Sequence, residues 1–557
     1  MLIIKNGLFA SLISVFFICP PASASIANSS ANEIEQDKAR QTTLSPEEKA
    51  YSSSQESTQV ESIVFPKESI CRNIKNIIIE SDDEKLANKL LGKITQQALN
   101  KCLGIEGVRL LSQKLQNELV VQGYITSLID IPPQSLNSGE LHLTLVWGKV
   151  GKIAFAPDSQ SPTSLWNSLP LNSGETLRLG DLEQGMSNLQ RLPGSEVHMK
   201  LQPGEHHGET DISLTRALDK KWQIGAWMDD SGSRTSGRYQ GGAALYLYDI
   251  TRLNDTFYVS TGGDIEFNQQ KDGNKNSSIF YSIPFGYWAL SLYGAYSEYR
   301  QLFKGSWTTA EYKSKNRYHS ASLSRMLSHT REQKTSLVAQ VFKGSSRYFL
   351  GGSELEVLRK QNPAWKLTLN HQHYFDQKVL DASLSFQRRL AWINSKPTPE
   401  EQAGLFSKHS RVIQANVQAL MKFRLTGDKF SYAPQLNAQL SPDKLSSDNK
   451  YNIGNRWTVR GFDGERTLSG QQGWYWRNDF IWDIPGPVQQ IYIGVDIGKI
   501  IGDSGNYNGK IISGAVAGLR GEKFKTQYDF FIATPIAKPN NFHSDALNLG
   551  MSLKWRI

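Results

Sequence analysis

The end of the chain sets the tightest limit on its fold. Leu547, Leu549, Met551, Leu553, Trp555 and Ile557 alternate with Asn548, Gly550, Ser552, Lys554 and Arg556. Strict period two means a strand with one greasy and one polar face. The pattern recurs upstream. Ile413, Ala415, Val417, Ala419, Met421 and Phe423 stand opposite Gln414, Asn416 and Gln418. Ile491, Ile493, Val495 and Ile497 stand opposite Tyr492, Gly494, Asp496 and Gly498. From Trp222 to Ile557 we count about 16 such runs, parted by Gly, Asn, Asp, Ser and Pro. Two architectures satisfy this pattern. A soluble sandwich turns the greasy face inward and must protect its edges. A closed transmembrane β-barrel turns it toward lipid and leaves no edge.

The N-terminus favours the barrel. Residues 1–24 combine Lys5, an apolar run from Leu8 to Cys19, and the small-residue site Ala22-Ser23-Ala24. That is a secretory signal peptide, with cleavage expected after Ala24. No later stretch reaches the ~18 apolar residues of a membrane helix, so any crossing must use strands. The 39% hydrophobic content and mean hydropathy of −0.43 suit a barrel that shows lipid only every second residue. The net charge of +9 fits solvated surface, a basic lumen or attraction to anionic lipid headgroups. Export disfavours a nucleic-acid partner.

Between signal and barrel lie three segments. Residues 25–62 are rich in Ser, Glu and Gln and read as a linker, within which 31–40 has the composition of one short polar helix. Residues 63–150 read as β-α-α-β-β. Ile74, Ile77, Ile78 and Ile79 lie in a strand-like run, Leu86, Leu90, Leu91 and Ile94 share a helix face, and a second helix carries Val108, Leu111, Leu115, Leu119 and Val120 up to Gly123. Strands are expected at 124–131 and 140–147. Residues 151–219 repeat this in shorter form, with a strand at 152–155, a helix near 181–190 and strands at 196–201 and 209–216. Residues 220–557 form the barrel. Once the signal is removed, Cys71 and Cys102 remain. An exported pair in an oxidising compartment reads as a disulfide, and no further His or Cys stands close enough for zinc.

Two local motifs stand out. Val459-Arg460-Gly461-Phe462 lies in the long segment between strands near 430–440 and 473–484. Gly494-Val495-Asp496-Ile497-Gly498 puts Asp496 on the polar, lumen-facing side of its strand. A carboxylate inside a barrel needs a partner or water. Arg460, on an inward-folded loop, would supply a bidentate partner. Gly461 would allow the tight turn, and Phe462 would wedge into the lumen wall.

These motifs resemble the VRGF/Y loop and G-x-D-x-G strand of the TpsB family of polypeptide-transporting barrels, in the Omp85 superfamily. The two small modules resemble periplasmic POTRA domains, which bind unfolded clients. Two such modules ahead of a barrel of about 16 strands imply the two-partner secretion branch. Cys71, Cys102-Leu103-Gly104 and Gly123-Tyr124 make the first module most similar to haemolysin secretion/activation and contact-dependent-inhibition transporters. The resemblance implies an outer-membrane transporter, with its modules in the periplasm, for a large unfolded exoprotein of haemolysin or contact-toxin type. It implies an Arg460–Asp496 pair fixing the loop inside the barrel, and residues 31–40 as a lumen plug, a disordered tail being the equal alternative. It also implies a client-binding sheet edge at 195–201 (Ser195, Val197, Met199, Leu201), beside the helix at 181–192. Family members usually end in an aromatic residue; here the last is Ile557, with Trp555 two before it.

Enzymatic readings find little support. His371 and His373 share a strand face and His206-His207 falls in a turn, without other ligands at metal spacing. There is no G-x-S-x-G elbow and no phosphate-binding G-x-x-x-x-G-K-[ST] loop. Arg477 and Asp479 read as lumen-wall charges, and Trp474, Trp476, Phe480 and Trp482 as a lipid-facing aromatic girdle. We expect no cofactor, no metal, no catalytic activity and a monomeric barrel in outer-membrane lipid. Two alternatives are an insertase for other barrels, which would carry more modules, and an outer-membrane hydrolase, which would need a Ser/His/Asp set at the rim.

Overall fold

The computed structural model describes residues 62–557, except 233–236, 266–272, 305–308, 331, 391–396, 487 and 503–508. The expected signal peptide and the expected plug helix at 31–40 lie outside the described residues.

The first module packs two helices on a small sheet. Asp83 starts the helix Glu84–Ala98 by accepting a hydrogen bond from the Leu86 N–H at 2.9 Å. This helix buries Ala87, Leu91, Ile94 and Ala98, spaced four, three and four residues apart. The helix Ile105–Val121 buries Val108, Leu111, Leu115 and Leu119. Both cover a sheet in which Glu140–Val146 runs between Asn76–Glu80, parallel to it, and Leu128–Asp130, antiparallel. The strand expected over 124–131 is only Leu128–Asp130. Its first residues are held by the helix end instead. The Tyr124 N–H donates to the Leu119 carbonyl at 2.8 Å across Gly123, whose φ of +90° suits glycine. The Tyr124 ring then meets Trp147 edge-on at 5.0 Å.

Two contacts tie the entry segment to this module. Cys71 and Cys102 form a disulfide with a Cα separation of 5.3 Å, beside the short ladder of Arg72–Asn73 with Cys102–Leu103. Glu68 accepts from the backbone N–H groups of Gly104 (2.8 Å), Glu106 (2.9 Å) and Gly107 (2.9 Å) at the start of the second helix. Burial raises the Glu68 pKa, but the three donors outweigh it and hold the carboxyl below its ordinary value.

In the second module the helix Leu179–Gln190 covers a sheet ordered Lys149–Phe155, Glu209–Leu218, Ser195–Pro203. This module is docked on the barrel mouth. Arg216, fully buried, pairs with Asp249 at 2.8 Å and donates to Asn254 Oδ1 at 3.0 Å, both in the turn after the second barrel strand. Thr163 donates to Asp249 at 2.8 Å. Asn188 Nδ2 donates to the Gly286 carbonyl at 2.7 Å, and the Tyr287 hydroxyl donates to Asp181 at 2.6 Å, in the next turn on the same side.

From Trp222 onward, sixteen antiparallel strands close into a barrel, with one extra two-residue strand, Ser353–Glu354, on a connection. The first strand, Trp222–Asp229, closes on the last, Asn548–Arg556, from Gly225 opposite Arg556 to Asp229 opposite Ser552. Apolar residues face outward: Leu549 is 62% and Ile493 57% exposed. No dry sandwich interior holds them. Turns on the module side are short, such as 286–287, 376–377 and 426–427, and the far side carries the long connections.

Reducing the Cys71–Cys102 bridge removes a cross-link that fastens the entry segment. We expect the first module to lose about 2–4 kcal/mol of stability. Urea-dependent proteolysis of the full chain with and without reductant measures it. Acidification acts in the same sense through Glu68. Its depressed carboxyl stabilises the fold above the ordinary carboxylate pKa and stops doing so as pH falls through the lowered folded value. Glu68→Gln should remove that pH dependence.

Candidate functional site

The connection 441–471 joins the strands Asp428–Leu440 and Gln472–Asp483. It folds back into the bore rather than out into solvent. A small hairpin, Tyr451–Ile453 with Leu468–Gly470, stiffens it. Its apolar residues Ile453, Val459, Phe462 and Leu468 are buried in one cluster with Tyr475, Ile500, Ile512 and Phe542.

Arg460 sits at the tip. Its Nε donates to Asp496 Oδ2 at 2.7 Å and its Nη2 to Asp496 Oδ1 at 2.8 Å, a two-pronged pair. Its backbone N–H donates to the same carboxylate at 3.0 Å. The Nη2 atom also donates to Asp479 Oδ1 at 2.6 Å. Asp496 has no solvent exposure and Arg460 only 4%. Arg477 braces the loop from the wall, its Nη1 donating to the Trp457 carbonyl at 3.0 Å.

Glycines make this approach possible. At Gly494 an added Cβ would lie 2.7 Å from Arg460 Nη2, and at Gly498 2.8 Å from Val459. These residues flank Asp496 on its own face, so the G-x-D-x-G spacing clears a seat for the loop on both sides of the carboxylate. Gly461 has φ +109°, and a Cβ there would meet the Thr534 carbonyl at 2.5 Å. Phe462 packs edge-on against Phe542, 5.6 Å between ring centres, on the connection 538–547. It therefore meets another infolded connection as well as the wall. Sequence reading assigned Asp479 only to the wall; its role as second acceptor depends on the pairing of Asp479 with Gly494, which a single strand's alternation does not carry.

The strand Ser195–Pro203 is an edge, paired only with Glu209–Leu218. The side chains singled out on it do not line one open face. Ser195 and Val197 are buried, Met199 packs on the module core, and Leu201 is exposed. The residues between them, Glu196, His198 and Lys200, are exposed, as is Gln202 beyond. What the edge offers is main chain. One acceptor on it, the Val197 carbonyl, takes a 3.3 Å hydrogen bond from Gln190 of the neighbouring helix. Ser195 is tied inward, its hydroxyl donating to Leu189 at 2.8 Å and accepting from Arg216 Nε at 3.3 Å. The histidine pair is ordinary: His371 Nδ1 lies 2.9 Å from the Thr335 hydroxyl, and the described residues hold no cluster able to bind a metal ion.

Paired periplasmic modules, a closed barrel and a loop pinned inside its bore define a transporter of the outer membrane. The profile described as haemolysin secretion/activation protein ShlB/FhaC/HecB matches residues 208–521, with a ShlB-type POTRA domain at 73–148 and a further POTRA domain at 149–203. The chain belongs to that haemolysin secretion/activation family and is an outer-membrane transporter of two-partner secretion. It is 28% identical over 468 residues to the outer membrane transporter CdiB-2 of Burkholderia pseudomallei, covering 81% of this chain and 78% of that one. It is 25% identical to the hemolysin transporter ShlB of Serratia marcescens, covering 72% and 71%. The solved structure of CdiB from Acinetobacter baumannii superposes with a TM-score of 0.82 at 26% identity, covering 95% of this chain and 98% of that one.

Removing one member of a buried ion pair strands the other charge, which costs about 3–5 kcal/mol. Arg460→Ala should therefore release the loop while the barrel, held by its ladder, still assembles. Export should be lost, and a protease added outside should cut within 441–471. Barrel assembly is read from the heat-dependent shift on gels; normal export by this variant would refute the role. Gly494→Ala should act in the same direction, its Cβ crowding Arg460 Nη2 and Asp479 Oδ1 as well as the Asn478 carbonyl of the neighbouring strand.

Proposed function

We propose that the chain takes an unfolded exoprotein from the periplasm, guides it along the edge of the second module, and passes it through the barrel once the loop 441–471 withdraws. The supporting observation is Arg460 buried between Asp496 and Asp479, which makes the loop a removable obstruction in the bore. Ser195–Pro203 is the entry surface: an extended client can add a strand there, binding through main-chain hydrogen bonds with little dependence on sequence. Exposed Leu201 would give it an apolar contact. Folding of the client outside, which prevents its return, supplies the driving force, since no nucleotide-binding loop stands in the sequence. The relatives' names point to a haemolysin or a contact-dependent toxin as the passenger. The barrel works as a monomer in outer-membrane lipid, without a cofactor.

Leu201→Pro tests the entry surface. Proline removes a backbone donor and an edge strand tolerates it, so the module should stay folded while the ladder to the client is interrupted. Export should fall severalfold with unchanged barrel content. Conservative Leu201→Val should export normally, and equal export by all three would exclude this edge.

A further inference from the structure

The outer wall formed by Trp288–Lys304, Thr309–His329 and Gln333–Leu350 changes character partway up. Nearer the modules it shows Leu292, Leu323 and Val341 to the outside, all exposed. Ala321 lies opposite both Leu292 and Val341. Beyond that level the same face becomes basic. His319 stands opposite Lys343, Arg317 opposite Ser345, and Lys315 opposite Arg347. The alternate residues Ser314, Asn316 and Ser346 are buried on the bore side, so these cations point away from the bore. Arg317, Lys343 and Arg347 are exposed.

Like charges facing each other across a ladder destabilise it. The carboxylate nearest to hand is already engaged: Glu298 holds Arg300 at 2.6 Å and Lys313 at 2.9 Å. Among the described residues, Lys315, Arg317, Lys343 and Arg347 have no carboxylate at ion-pair distance, and Lys315 rests over the Phe349 ring at 5.4 Å. Arg411, elsewhere on the outward face, is by contrast neutralised by Asp443 at 2.9 Å. Even with Glu298 directly opposite Lys315 and Glu354 near Arg347, cations outnumber carboxylates on this face, and a cationic excess directly above an apolar belt is matched by anionic headgroups at that height.

We propose that this face binds the phosphates of the phosphorylated glycolipid in the outer leaflet. Arginine suits phosphate because it engages two oxygens at once, and several cations converge where one phosphate-bearing headgroup would lie. The patch lies at the end of the strands remote from the modules, which selects outer-leaflet glycolipid over the phospholipid of the periplasmic leaflet. Bound phosphate also relieves the opposition of Lys315 with Arg347. The inference rests on the modules being periplasmic; protease accessibility in intact cells checks that orientation separately.

The test uses the purified full chain in detergent, with diphosphoryl lipid A as probe and phosphatidylglycerol as the alternative source. Native mass spectrometry should show lipid A bound at least roughly tenfold more tightly by the wild type than by a variant with Lys315→Gln, Arg317→Gln, Lys343→Gln and Arg347→Gln. Lipid A should raise the unfolding temperature of the wild type and leave the variant's unchanged. Lipid-free, the variant should unfold at the higher temperature of the two, because its facing charges are gone. Lys343→Arg with Arg347→Lys should retain binding; if the fourfold variant fails to fold, Arg317→Gln with Lys343→Gln takes its place. Equal lipid A binding by wild type and variant would overturn the proposal, and so would phosphatidylglycerol binding as tightly as lipid A.

Discussion

Arg460 between two aspartates is the contact that fixes the loop 441–471 inside the barrel. A guanidinium buried without partners would cost far more than the loop's packing returns. Here Asp496 accepts three hydrogen bonds from Arg460, and Asp479 accepts a fourth. That satisfaction comes only at one position of the loop, because Gly494 and Gly498 open the wall nowhere else along the strand. A small displacement loses the bidentate geometry and leaves three ionised groups in a dry place. Partial withdrawal is therefore the costly arrangement. The loop is stable fully seated, or far enough away that water reaches all three charges.

A second buried arginine sets the geometry below. Arg216 reaches Asp249 and Asn254 on a barrel turn, and its Nε reaches the hydroxyl of Ser195, where the edge strand of the second module begins. One guanidinium thus fastens the start of the edge to the rim of the barrel. Asn188 and Asp181 hold the next turn from the helix beside that edge. The module cannot pivot freely on a linker, so a client strand added to the edge would approach the mouth in a fixed direction.

Alternation alone carried the barrel, because outward apolar and inward polar residues must take turns along every membrane strand. It also placed Asp496, Gly494 and Gly498 on one inward face, which is why the partner of Arg460 was readable from a single strand. It failed where the answer depended on a neighbour. Asp479 stands opposite Gly494 only through the register of two strands, and no pattern within 472–483 encodes that. On the edge strand, the resemblance pointed to Ser195, Val197, Met199 and Leu201, but alternate residues of a helix-covered sheet share its core face, so the first two are buried and Met199 packs on the core. Arg216 was missed for a related reason. One charge in an alternating strand reads as solvent-facing, and nothing in the module's sequence announces that a barrel turn will cover it.

If the loop withdraws as proposed, an ionic lock suits that step. Were the loop held by greasy contacts alone, withdrawal into a flooding bore would expose apolar surface to water at about 25 cal/mol per Å², with no compensation. A buried ion pair has already forfeited its hydration on closing, and hydration is regained in full when the bore fills. The pair is thus strong against small displacements yet not much more stable than its separated, solvated parts. Among the loop's apolar residues only Phe462 escapes this limit in part: it packs on Phe542 of a second infolded connection, so those two rings can keep their contact if both connections move together, whereas Ile453, Val459 and Leu468 share a cluster with the wall residues Tyr475, Ile500 and Ile512. Tight seating of the loop and a modest free-energy difference to a withdrawn state would then be compatible in one wall.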